Sequence, residues 1–125
     1  MRTILMPIKP IYVNEILNGN KKYEYRKIKA KKDNIDKMII YATSPIKKVV
    51  GEATIINILE DTPENIWEKT QKYSGIEKEF FDIYYKNRNV AIAYQLENII
   101  KYEKTLDLKE LGINYYPQTF IYLEK

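Results

Sequence analysis

Val49-Val50-Gly51-Glu52-Ala53-Thr54-Ile55-Ile56-Asn57-Ile58-Leu59 is the stretch on which the fold turns. It reads as one long strand with imperfect alternation, carrying a glycine where an extended chain bends or bulges. Long bent strands are how small barrels turn corners. Upstream, Lys47-Lys48 follows the turn chemistry of Thr43-Ser44-Pro45. Before that turn, Met38-Ile39-Ile40-Tyr41-Ala42 is apolar enough for a central strand. Downstream, Thr62-Pro63 opens a helix holding Ile66, Trp67 and Thr70. Ser74-Gly75-Ile76-Glu77 matches a capping box and predicts a second helix there, with Ile76, Phe80, Phe81 and Tyr84 on its buried side. Trp67, Phe80 and Phe81 then belong to the core rather than to a stacking platform.

The chain's start and finish complete the pattern. Arg2 to Met6 is a short apolar strand, and Pro10 fits the first turn of a helix whose face is Val13, Ile16 and Leu17. Gly19 closes that helix. Asn87-Arg88-Asn89 is a turn before a strand from Val90 to Leu96. Asp107 to Leu111 makes a short helical turn ended by Gly112, and Thr119 to Leu123 is a last strand. About six strands with helices inserted between them, and no regular βαβ alternation, predict an α+β domain with a curved mixed sheet. At 125 residues the sequence reads as a single domain, 1–125, able to bury a core without staples.

Composition narrows the chemistry. With no cysteine, disulfides and thiolate nucleophiles are excluded, and with no histidine the usual zinc sites and Ser-His triads go too. No metal ligand set or cofactor motif is read. Acid–base work falls to Lys, Glu, Asp or Tyr. No apolar run approaches the roughly 20 residues of a membrane span, and the first residues do not resemble a signal peptide, so the expectation is a cytoplasmic monomer. A net charge of +4 permits polyanion binding without demanding it, and much of the excess lies between Lys21 and Lys37. Twelve tyrosines against three phenylalanines put many amphipathic rings at the core's edge, where one or two could stack on a base.

The candidate site is Gly19-x-Lys21-x-x-Glu24-x-Arg26. From Lys22 to Arg26 the chain alternates strictly, so Tyr23 and Tyr25 face one way and Lys22, Glu24 and Arg26 the other. A carboxylate between two cations fits a polar pocket wall. It equally fits a structural salt bridge pinning the strand to the helix end. Arg26 can make a two-point contact with a phosphate or with Glu24, whereas Lys21 is a point charge. Glu24 as a carboxylate accepts hydrogen bonds, for instance from a base's exocyclic amino group. Lys9, beside the helix N-terminus, offers a phosphate seat. Tyr41, Ser44 and Gln118 would complete a pocket with a stacking face and amide hydrogen bonds.

Ile8-Lys9-Pro10 followed by Ile16, Gly19, Lys21, Glu24 and Arg26 resembles the N-terminal signature of ASCH domains, in the PUA-like superfamily of small β-barrels. Tyr41-Ala42-Thr43-Ser44-Pro45, Val50-Gly51-Glu52 and Pro117-Gln118-Thr119-Phe120 extend the resemblance over nearly the whole chain. It implies a PUA-like small mixed β-barrel with peripheral helices, a cleft beside the first helix, and RNA or a modified nucleoside or nucleotide as partner. One branch of the family hydrolyses N4-acetylcytidine through a lysine, a threonine nucleophile and a distant glutamate, and ribonuclease activity is known in another. Lys21 takes the lysine's place, but Glu24 stands at the threonine's, and a carboxylate does not reproduce a hydroxyl nucleophile. Glu52 is the candidate for the distant glutamate. Three readings follow: an RNA- or nucleotide-binding domain; a metal-independent hydrolase of a nucleoside or RNA, with Glu24 as base and Lys21 as electrostatic stabiliser; or a protein-interaction domain in which the cluster is structural.

Overall fold

The computed structural model describes residues 1–123. Its strands are β1 (Arg2–Ile8), β2 (Tyr23–Arg26), β3 (Ile35–Ala42), β4 (Lys48–Asp61), β5 (Ala91–Leu106) and β6 (Ile121–Leu123). The helices are α1 (Pro10–Leu17), α2 (Pro63–Thr70) and α3 (Lys78–Tyr84), with single 3-10 turns at Gln71–Tyr73 and Leu108–Leu111. All six strands form one mixed sheet in the order β2-β5-β4-β3-β1-β6, with β1 and β3 parallel and the other pairs antiparallel. This is the expected α+β, PUA-like architecture.

The sheet is barrel-like but open, because β2 and β6 remain unpaired edges. Side chains draw those edges together where backbone pairing does not. The Lys31 and Lys32 N–H groups, on the loop after β2, donate to the Tyr122 hydroxyl of β6 at 3.0 and 3.2 Å. At the other rim Arg26 Nη2, at the end of β2, donates to the Pro7 carbonyl of β1 at 2.6 Å.

The curl comes from bulges in the long strand. Pairing of β4 with both neighbours shifts at Val49/Gly51, and with β5 again at Glu52/Thr54 and Ile55/Asn57. Each shift adds local twist and bends the strand. Gly51 sits there because a Cβ would come 2.5 Å from the Ile100 carbonyl oxygen across the pair.

Both sheet faces are covered, which explains the continuous apolar runs. One face holds Ile4, Met6, Met38, Ile40 and Tyr94 against Val13 and Ile16 of α1. Behind β1 and β3, Leu5, Ile39, Tyr41 and Val49 pack under Leu108 and Ile113. A third cluster seats Ile66 of α2 and Phe81 of α3 on Tyr25, Ala91 and Ala93. Each such aliphatic or aromatic side chain contributes roughly 1.5–3 kcal/mol of burial.

Local expectations fail in identifiable places. Ser74 makes no capping box; its hydroxyl bonds the Ile76 N–H and carbonyl in a tight turn, and α3 starts later, behind Glu77. That rotates Phe80 outward, 58% exposed, so only Phe81 of the pair is core. The true capping box is Asp107 with Glu110. Strand β5 continues past Leu96 to Leu106 through Asn98 in the left-handed region, while β6 begins only at Ile121.

Candidate functional site

The mouth of the curled sheet, where β1 and β3 end side by side, opens into a cleft of about 540 Å³. Parallel pairing places Tyr41 opposite Pro7 and Ala42 opposite Ile8, and the Thr43 N–H then bonds the Ile8 carbonyl at 3.0 Å. That hydrogen bond holds the β3–β4 turn, with Ser44 and Lys47, along one rim. Lys9 and Tyr12 of α1 form the second rim, and Tyr116, Pro117 and Gln118 come back over the top before β6. Glu24 and Arg26 of β2 make the remaining wall. Sequence neighbours they are not; the crossover from β1 through α1 and β2 to β3 brings them together.

Arg26 is the best-fixed charge in the cleft. Its Nε donates to Glu24 Oε2 at 2.9 Å, and Nη2 lies 2.7 Å from the same oxygen while reaching the Pro7 carbonyl. Nη1 has no partner among the described residues, so the guanidinium keeps donors for a guest. Its side chain is 20% exposed, against 6% for that of Glu24. The second Glu24 oxygen has Lys21 Nζ 3.9 Å away and otherwise accepts nothing among the described residues.

Lys21 is where the structure departs most from the sequence expectation. It does not line the cleft. The chain folds back on α1, with the Lys21 N–H on the Glu15 carbonyl at 3.0 Å, and sends the side chain inward at 2% exposure. There Nζ donates to the Ser74 carbonyl at 2.9 Å and lies over the rings of Tyr25 (4.5 Å) and Tyr12 (5.4 Å). Gly75 makes this seat: with φ at +67° and a would-be Cβ 2.3 Å from Lys21 Cβ, a side chain at 75 has no room. Burial lowers the Lys21 pKa to about 8, with Glu24 and Glu15 pulling it back up and Arg26 pushing it down. The ammonium therefore sits behind Glu24, outside the lining of the cleft.

The other candidates divide. Lys9, Tyr41, Ser44 and Gln118 all line the cleft beside Glu24 and Arg26. The phosphate seat at the start of α1 is thinner than expected, since Pro10 has no N–H and those of Tyr12 and Val13 already bond the Lys9 carbonyl. What remains is the exposed Lys9 ammonium with the Ile11 N–H. Tyr41 is buried under Leu108 and Tyr116, which raises its phenol pKa. Glu52 stands elsewhere: opposite Ile39, it lies 3.0 Å from Lys37 and accepts from the Tyr102 hydroxyl at 2.8 Å. Tyr12, Lys47 and Tyr116 are lining residues that sequence reasoning did not single out. Lys47 stood inside a quoted segment and Tyr116 next to one, but only the fold puts Lys47 Nζ 5.2 Å over the Tyr116 ring. Among the described residues no three acidic, His or Cys side chains gather as a metal site requires, and no helix is long and apolar enough to cross a membrane.

Comparison with known proteins bears on the family and the fold. A family described as a domain of unknown function, DUF365, matches residues 1–114. Large ribosomal subunit protein uL22 of Ureaplasma parvum is 35% identical over 88 residues, which are 70% of this chain but 28% of that protein. An ASCH domain-containing ribonuclease of Zymomonas mobilis is 25% identical over 119 residues, 93% of this chain and 80% of its own length. The crystal structure of ASCH from Zymomonas mobilis superposes with a TM-score of 0.89 at 21% identity, over 98% of this chain and 88% of that one.

Proposed function

For a chain that belongs to the DUF365 family and has the ASCH-domain, PUA-like fold, we propose that the cleft binds RNA by holding a nucleotide against Glu24 and Arg26. The observation that carries this is the state of Arg26: locked by Glu24 and the Pro7 carbonyl, yet lining the cleft with its side chain 20% exposed and Nη1 unpartnered among the described residues. A fixed guanidinium with spare donors is preorganised for phosphate. Exposed Lys9 and Lys47 on opposite rims supply further charge without needing to be desolvated beforehand. The Glu24 oxygen not bound by Arg26 accepts an exocyclic amino group, the Gln118 amide offers both a donor and an acceptor, and Tyr12 gives an aromatic wall for a base. A relative whose name specifies ribonuclease supports RNA as the ligand class.

The same relative favours a second reading, hydrolysis. Glu24 would take the proton of a ribose 2′-hydroxyl as that oxygen bonds to the adjacent phosphorus. The P–O5′ bond breaks, leaving a 2′,3′-cyclic phosphate, and the departing 5′-oxygen takes a proton from water. Arg26 and Lys9 would stabilise the charge on the phosphoryl oxygens. Lys21 would tune the carboxylate from behind. Titration of folded protein with cytidine 5′-monophosphate and short oligoribonucleotides, watched by NMR alongside product analysis, separates these. Salt-sensitive binding without products supports the binder, and products that vanish in Glu24→Gln support the hydrolase. No binding and no products from correctly folded protein would defeat both and leave an interaction domain with a structural ion pair.

A further inference from the structure

The cleft does not stand alone. On one side Arg26 and Gln118 are shared with a recess of about 310 Å³ walled by Tyr84 and Phe120, with Lys27 at its lip. On the other side Tyr41, Lys47 and Tyr116 are shared with a recess of about 400 Å³ lined by Tyr115 and Lys109. Resting on the RNA reading above, we infer that these are three consecutive subsites and that the protein takes single-stranded RNA three nucleotides at a time.

The argument is the order of chemistry along the groove. A cation stands at each boundary, Arg26 at one and Lys47 at the other, where a strand's phosphates pass between bases. Aromatic rings stand inside each recess, where bases splayed from the strand need faces. Lysines already lie over two of these rings, Lys27 4.6 Å above Tyr84 and Lys47 5.2 Å above Tyr116, so charge and ring are presented together. Tyr115 and Tyr116 are 57% and 63% exposed, much aromatic surface to leave in water beside lysines unless something stacks on it. Lining cations (Lys9, Arg26, Lys27, Lys47, Lys109) outnumber the carboxylates Glu24 and Asp107. Both carboxylates are already paired, with Arg26 and Lys48. The groove is thus electropositive along its length, with recesses sized for small ligands. Alternating rings and cations distinguish a nucleotide strand from an acidic peptide, which needs the cations alone.

Calorimetric titration with uridine 5′-monophosphate and 5′-phosphorylated oligouridylates of two, three, four and six units tests this. The dissociation constant should fall about tenfold with each added unit up to three, the scale of one stacked base, and then level off. Phe120→Leu and Tyr115→Leu keep apolar bulk in the outer recesses but remove the rings; each should weaken trinucleotide binding about tenfold and leave the monophosphate unchanged. Monophosphate binding with no gain from length, a plateau at two units, variants that bind the trinucleotide as well as the parent, or tighter binding of oligoglutamate would each overturn the three-subsite inference while sparing the RNA reading. Failure of monophosphate and oligomers together would remove both.

Discussion

Raising the pH from 7 to 9 should stabilise the fold, and replacing Lys21 by methionine should abolish that rise. The Lys21 ammonium is held at 2% exposure with a pKa near 8, against 10.5 for the free side chain. The folded state therefore releases this proton first. A buried cation destabilises the fold below pH 8, and the penalty is relieved as pH climbs from 8 toward 10.5, since the unfolded chain then holds more protons. For a shift of this size the folded-to-unfolded ratio gains about tenfold between pH 7 and 9. Buried Tyr25, Tyr41, Tyr85 and Tyr94 and half-buried Tyr102 act oppositely, because their raised pKa values make them lose stability as pH passes 10. By pH 9 they take back less than twofold, leaving a net gain of ~1 kcal/mol. Urea unfolding at pH 7, 8 and 9, followed through Trp67 against Phe81 (ring centroids 4.9 Å apart), reads the midpoint directly. An equal rise in parent and Lys21→Met protein, or a fall in the parent, would refute the buried, proton-releasing lysine.

Three further outcomes follow from the same geometry. Gly75→Ala forces a Cβ into Lys21 at a left-handed φ and should cost roughly 2–4 kcal/mol in urea unfolding; an unchanged midpoint would mean the loop does not clamp the lysine. Arg26→Lys, unable to bridge Glu24 and the Pro7 carbonyl together, should lower stability by about 2 kcal/mol, and Arg26→Ala by more, since a buried carboxylate is left with Lys21 alone. Lys9→Ala, at an exposed rim, should leave the melting temperature unchanged and reduce the slope of log affinity against log salt for oligouridylate by about 0.7, one phosphate's worth; an unaltered slope would place the phosphate elsewhere.

How far the sequence carried these conclusions differs by element. Strands β1 and β3 were legible because apolar runs buried on both faces leave nothing else for the chain to be, and β4 because buried positions alternate along its first half. The second half of β5 was not, since from Glu97 onward it is largely exposed, carries charges and bends at Asn98, erasing the period. The capping-box pattern at Ser74 misled because a serine side chain can bond its own turn as readily as a helix start. In the cleft, the strict alternation of Lys22 to Arg26 was enough to put Glu24 and Arg26 on one side and Tyr25 on the other. The depth of Lys21 could not be read, because lysine is among the residues least often buried and the groups that cover it, Ser74 and Gly75, come from a remote loop. Lys47 and Tyr116 were hidden for the same reason: their meeting depends on the segment before β6 returning across the β3–β4 turn.

The central claim is that a fixed guanidinium in this cleft receives the phosphate of an RNA nucleotide. The side-chain Nε–H resonance of Arg26, followed by nitrogen-15 NMR during titration with uridine 5′-monophosphate, addresses it most directly. A saturable shift of that signal, with nucleotide affinity lost in Arg26→Lys protein that remains folded, is the result predicted here. An Arg26 signal that stays still at saturating nucleotide, whether nothing binds or shifts gather on another face, would contradict it.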